Sequence, residues 1–193
     1  MGFIQDLLKQ FLPQILSSLQ DQGSKEMAKP EAPLKVVVAA PPIQGIDWSN
    51  PDCKVSQHFT VKEMLWLPTW HRMANEQDGL DDKVKANLID LAKSMDIVRE
   101  YFGKSINVHV TYRPLEYNKA IGGALHSAHS EGGAMDFDVV GMNCDDARKK
   151  INDDGMLEKW QMRMEDISAL ASRNWVHLDR RQPAVGGHRF FKP

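Results

Sequence analysis

Three short segments of the chain alternate between apolar and polar residues, and this alternation restricts the possible folds more than any other feature of the sequence. They are residues 106–113, 134–139 and 175–179. A period of two predicts β-strands with one buried face and one polar face. If the strands pair, one face of the sheet collects the polar residues His109, Thr111, Arg113, Asp136, Asp138, His177 and Asp179. A solvated sheet face does not need this much histidine and aspartate, so the pattern indicates a functional site.

Two helices are predicted before the first strand. Thr60 and Glu63 have the spacing of a capping box, which predicts a helix from Thr60 towards Trp70. Apolar residues then recur at gaps of three and four over residues 80–102, with Asp81 or Asp82 at the start and Gly103 after the end. Helices followed by alternating strands predict an α+β fold, in which a small antiparallel sheet has helices packed on one face.

The first fifty residues have a different character. Residues 1–22 carry one broad apolar stripe, which predicts an amphipathic helix for docking to a protein or to a membrane surface. Residues 23–51 contain five prolines and predict a linker. The folded domain is therefore expected over residues 52–193. The N-terminal residues lack the basic start and cleavage site of a secretory signal peptide.

Composition excludes several classes of protein. The formal net charge is −2 and Lys and Arg form no dense block, which argues against a nucleic-acid partner. The two cysteines, Cys53 and Cys144, offer neither a disulfide framework nor a thiolate zinc cluster, and their pairing stays open.

Residues 126–136 contain the strongest chemical signal. His126, His129 and Asp136 lie close together around the pair Gly132 and Gly133, which can bend the chain into the next strand. A catalytic zinc ion takes three protein ligands and keeps a fourth position for water. His129 and Asp136, together with the distant His177, would supply three such ligands. Scattered surface histidines are the alternative interpretation.

The same stretch resembles a known family. The pattern Ser127-x-His129-x-x-Gly132-x-Ala134-x-Asp136, followed by Trp175-Val176-His177, is similar to the zinc-ligand signature of the D-Ala-D-Ala carboxypeptidase family of metallopeptidases. Hedgehog domains and several phage endolysins are similar to that family in fold. Two further stretches resemble the parts of the domain that precede the signature, and together the similarity covers about residues 55–180. These stretches are Ser56-Gln57-His58-Phe59-Thr60 with Glu63, and Tyr112-Arg113-Pro114 with Asn118 and Gly122-Gly123-Ala124.

The resemblance implies roles for individual residues. It implies that His129, Asp136 and His177 bind zinc and that Arg113 contacts a substrate carboxylate or carbonyl and stabilises the oxyanion. Ser127 is a candidate substrate-binding residue, or else a turn hydroxyl bonded to backbone. The remaining histidines His126 and His188 are interpreted as surface or substrate-groove residues.

One position departs from the family pattern. Many relatives carry the general base three residues before the last histidine, where this chain has Asn174. Glu165 is the first candidate to replace it, because residues 160–165 alternate like a strand and resemble a glutamate-bearing segment of some relatives. Asp179 is the second candidate, and its alternative role is to orient an imidazole.

The resemblance therefore implies a zinc-dependent peptidase that cuts stem peptides or cross-links of peptidoglycan. The expected setting is a phage endolysin or a virion-associated lysin, present in the host cytoplasm before release to the cell wall, or carried in the particle. The alternative is an inactive zinc-containing module that binds peptidoglycan or has a structural role in the virion.

Overall fold

The computed structural model describes residues 45–166, 174–183 and 187–191. The predicted N-terminal helix and most of the predicted linker lie outside these residues. Ile46 and Trp48 already pack against the hydrophobic core, upstream of residue 52. None of the helices in the described ranges is long and apolar enough to cross a membrane.

The first helix, α1, spans Val61–Leu65. The capping box is present, because Thr60 accepts from the Glu63 backbone N–H and the Glu63 side chain accepts from the Thr60 N–H. The prediction that this helix continues towards Trp70 is wrong. Residues Trp66–Leu67 form strand β1 instead and pair antiparallel with β2, Arg72–Met73, around the short 3₁₀ helix Pro68–Trp70.

The long helix agrees with its prediction. Helix α2 spans Asp82–Phe102, begins after the capping residue Asp81 and ends at Gly103 in the left-handed conformation. Its buried face consists of Val84, Leu88, Leu91, Ala92, Met95, Val98 and Phe102. This face packs into one core with the apolar side of the sheet.

The principal sheet has five strands in the order β3-β4-β6-β5-β7. Its strands are β3 Ile106–Val110, β4 Ala134–Val139, β5 Arg163–Glu165, β6 Val176–Asp179 and β7 Phe190–Phe191. The remaining helices are α3 Leu115–Ala120, α4 Cys144–Asp153 and α5 Met156–Trp160, and a further 3₁₀ helix covers Ala128–Glu131. The α+β prediction is confirmed, with one refinement: the edge pair β5 and β7 is parallel, whereas the other pairs are antiparallel.

The alternation predicted for β4 and β6 is present in the structure. Met135, Phe137, Val176 and Leu178 are fully buried in the core, so the intervening polar residues face the other way. In β3 the register shifts between Val108 and Val110, and this bulge interrupts the simple alternation.

Candidate metal centre

Two strands and one loop bring the predicted ligands together. Asp136 on β4 lies directly opposite His177 on β6, so their side chains project from the same face of the sheet. His129 reaches this point from the 3₁₀ helix Ala128–Glu131. All three residues are buried, and their ligand atoms lie within 4.8 Å of one another.

Gly132 holds the loop that carries His129 close to helix α2. It ends the 3₁₀ helix with a φ of +71°. A Cβ at this position would lie 3.1 Å from the Val84 carbonyl oxygen and 3.1 Å from Leu88 Cγ. Both the backbone conformation and the close approach therefore require glycine.

The distances between the ligand atoms fit a tetrahedral metal ion. His129 Nε2 lies 3.2 Å from both Asp136 Oδ1 and His177 Nδ1. Zinc–nitrogen bonds of about 2.0–2.1 Å at tetrahedral angles place two ligand atoms about 3.3 Å apart. The remaining pair, His177 Nδ1 and Asp136 Oδ1, is 2.6 Å apart, which is hydrogen-bond length. Two edges of the triangle thus match such an ion, and the third would have to lengthen.

Each candidate ligand also contacts a second residue that lies outside the triangle. The Nδ1–H of His129 donates to the Thr111 carbonyl oxygen at 2.7 Å. Since a carbonyl can only accept, this bond leaves the lone pair of neutral His129 on Nε2, where a metal needs it. Arg113 Nη2 donates to Asp136 Oδ2 at 3.2 Å, and Asp179 Oδ2 lies 3.7 Å from His177 Nε2.

In the metal-free protein, burial and charge shift the pKa values of the three candidate ligands in different directions. Burial lowers the pKa of His129. Burial also acts to lower the pKa of His177, but the hydrogen bond to Asp136 and the nearby Asp179 carboxylate outweigh it and raise the pKa to about 9. For Asp136, burial acts to raise the pKa, while the two imidazoles outweigh it and hold the pKa far below its usual range. Near pH 7 and without metal, Asp136 is thus ionised and paired with protonated His177, while burial disfavours the charged form of His129.

The two candidates for the general base have different surroundings. Arg163 lies opposite Asp179 and Met164 opposite Leu178, so Glu165, two residues beyond Arg163, projects from the same face as His177. Glu165 is buried. Burial lowers the pKa of Arg113, and the negative charge of Glu165 acts against this shift, as it also favours the protonated form of His177. Asp179 instead accepts two hydrogen bonds from Arg163 and one from the Arg181 backbone N–H. The surroundings of Asp179 therefore resemble those of a group that orients the His177 imidazole. Asn174, at the position where many relatives carry the base, is exposed.

The other predicted site residues have varied positions. Ser127 accepts a hydrogen bond from the His129 N–H at 3.3 Å and caps the 3₁₀ helix, which is the backbone contact of the turn interpretation, while substrate binding by this hydroxyl stays a prediction. His126 and His188 are exposed. His109 pairs with Asp138 at 2.5 Å between Nε2 and Oδ1.

The prediction that the Thr111 side chain lies on the shared polar face is wrong. Its side chain is fully buried and its hydroxyl donates to the Glu63 carbonyl oxygen, because the bulge in β3 changes which side the following residues face. It contributes to the centre through its backbone carbonyl instead.

Two contacts to the centre were not predicted from the sequence. The Phe191 ring on β7 packs edge-on against the His177 ring at 5.4 Å, and Arg163 binds Asp179. The alternation over residues 160–165 could have predicted that Arg163 shares a strand face with Glu165. No local pattern could have shown that β7 joins this edge of the sheet.

Comparison with known families agrees with this geometry. The model of the peptidase M15 family matches residues 57–179, which is well over half of the chain and includes His129, Asp136 and His177. The chain belongs to the peptidase M15 family. No curated protein and no solved structure matches it. M15 membership supports hydrolysis of a peptide substrate by a peptidase, in a family that depends on zinc.

Proposed function

We propose that the chain is a zinc-dependent peptidase that hydrolyses peptide bonds in the stem peptides or cross-links of peptidoglycan. The observation that carries the proposal is the buried triangle of His129 Nε2, Asp136 Oδ1 and His177 Nδ1 within an M15 domain, two edges of which have the length expected around a tetrahedral ion. Nitrogen and carboxylate oxygen are ligands that zinc accepts. A zinc ion bound there would polarise a peptide carbonyl and lower the pKa of water.

The chain's own residues supply the remaining steps. Glu165 faces the site and is our candidate to accept a proton from the attacking water and to donate it to the leaving amine as the C–N bond breaks. Arg113 donates a hydrogen bond from Nη2 to Asp136, and its Nε has no hydrogen-bond partner among the described residues. We assign to the Arg113 guanidinium the binding of a substrate carboxylate or carbonyl oxygen.

The biological setting stays a prediction. We propose that the enzyme acts as a phage endolysin or virion-associated lysin, with residues 1–22 as a docking segment. The supporting observation is only the similarity of the motif to those of such enzymes.

Digestion of purified Gram-negative sacculi with zinc-loaded protein tests the proposal. Mass analysis of released muropeptides should show new fragments, which identify the bond that is cut. His129→Ala should abolish both zinc binding and release, while His71→Asn, which changes an exposed histidine without a predicted role in the site, should keep both. Intact sacculi with one bound zinc per chain would favour the inactive binding module. A wild-type protein that binds no zinc would overturn the proposal.

A further inference from the structure

A cluster of three side chains surrounds His177 on the side away from His129 and Asp136. Asp179 is on the same strand as His177, Arg163 on the neighbouring strand β5, and Phe191 on the edge strand β7. Asp179 Oδ2 lies 3.7 Å from His177 Nε2, and the Phe191 ring meets the His177 ring at 5.4 Å and 78°. The His177 ring is therefore contacted at its Nε2 end and on its side, while Nδ1 points to the other two ligands.

Arg163 links the two groups that touch His177. Its Nε donates to Asp179 Oδ1 at 2.9 Å and its Nη2 donates to Asp179 Oδ2 at 2.8 Å. The same guanidinium lies over the Phe191 ring, with Cζ 4.7 Å from the ring centroid. A planar guanidinium can bind both carboxylate oxygens and stack on an aromatic face, which an ammonium group cannot do.

The burial of Asp179 shows why this link matters. Its side chain is 2% exposed, and a carboxylate so deeply buried needs ionic partners to stay charged and fixed. Among the contacts described here, Arg163 makes two hydrogen bonds to it and the Arg181 N–H makes one. Loss of Arg163 would leave Asp179 with the Arg181 bond and the contact to His177, and would remove the cation from the face of Phe191.

We propose that Arg163 is a positioning residue, which fixes the His177 imidazole through Asp179 and Phe191 and thereby sets the affinity of the site for zinc. This inference rests on the proposed function, because it assumes that His177 binds the metal through Nδ1. Groups behind a ligating histidine orient the ring, and their removal commonly weakens metal binding.

The chain contains a matched control for this cluster. Arg72 also makes two hydrogen bonds to one aspartate, Asp78, and lies over an aromatic ring, that of Trp70, at 5.0 Å. None of these three residues touches His129, Asp136 or His177 in the described contacts. Arg72→Gln therefore removes the same kinds of interaction as Arg163→Gln, together with one bond to the Met73 carbonyl oxygen, away from the metal centre.

The test measures zinc Kd by competition with a chromophoric chelator and the visible spectrum of the protein loaded with Co²⁺. Arg163→Gln should raise the zinc Kd by about 10- to 100-fold and change the cobalt spectrum, since the ligand field depends on the position of His177. Arg163→Lys keeps the charge and should give an intermediate loss. Arg72→Gln should match the wild type in both measurements.

Each other outcome has a defined meaning. A folded Arg163→Gln protein with wild-type Kd and cobalt spectrum would overturn the inference and leave the proposed function intact. If Arg163→Gln does not fold, Arg163→Lys decides by the same two measurements. An equal effect of Arg72→Gln would show general destabilisation and would overturn the inference too. If the wild type binds no zinc, both the inference and the proposed function fail.

Discussion

Substitution of Gly132 by alanine tests how the loop carrying His129 is held. The residue has a φ of +71°, and an added Cβ would lie 3.1 Å from a backbone atom of α2, the Val84 carbonyl oxygen. Gly103, at the other end of the same helix, has a φ of +60° with nothing within 4 Å of an added Cβ. The two glycines thus share the conformational requirement and differ in crowding.

The expected losses of stability follow from this difference. A left-handed alanine costs about 1–2 kcal/mol. The reduced freedom of the unfolded chain returns about 0.4–1 kcal/mol, so Gly103→Ala should lower the free energy of unfolding by about 1 kcal/mol. Crowding in a packed region adds about 1–3 kcal/mol, which gives roughly 2–4 kcal/mol for Gly132→Ala.

Urea denaturation of the metal-free proteins measures both values. A zinc titration should also show weaker binding for Gly132→Ala and unchanged binding for Gly103→Ala. The Gly132 N–H donates hydrogen bonds to the carbonyl oxygens of Ala128 and His129. Displacement of Gly132 therefore also moves the candidate zinc ligand His129. Equal losses of stability in the two variants would refute the argument that close contact with α2 fixes the loop.

Three further results are expected. Glu165→Gln should lower kcat by about 10²- to 10⁴-fold at unchanged zinc content. The control Glu158→Gln, which changes an exposed glutamate, should keep the wild-type kcat. A wild-type kcat in Glu165→Gln would exclude Glu165 as the base. Because the pKa of His177 is about 9 without metal and this ligand must be neutral to bind, zinc binding should release about one proton at both pH 6 and pH 7. Calorimetry in buffers of different ionisation enthalpy measures this release, and a steep fall between the two pH values would indicate an ordinary imidazole instead. Asp96→Ala should destabilise the protein by about 2 kcal/mol in urea, since this carboxylate accepts from the Ser56 hydroxyl and two backbone N–H groups, and no change would contradict that role.

Much of the fold was predictable because its signals are local. The capping box at Thr60 and the periodicity of α2 depend on residues within a few turns of one another. The alternation in β4 and β6 gave the polar face, and the family motif predicted the three residues that the structure brings together.

The missed features depend on contacts between distant segments. Helix α1 ends at Leu65 because its carbonyl accepts from the Ala74 N–H, and the chain folds back as a hairpin. The bulge at Val108–Val110 exists only relative to β4. Similarly, the parallel pairing of β7 with β5 joins residues more than twenty positions apart, and no spacing within either segment encodes it.

The position of the general base shows why linear spacing and sheet register lead to different conclusions. Counting three residues back from His177 gives Asn174, an exposed amide that cannot accept a proton, and on that basis the site would lack a base. The register of β5 against β6 instead places Glu165 on the face of His177, although the two residues are distant in sequence. A site on a sheet can take its carboxylate from any strand that brings one to the same face. The asparagine at position 174 is therefore a weak argument for inactivity. Digestion of sacculi by the wild type separates a peptidase from a binding module, and the loss of that activity in Glu165→Gln would identify its base.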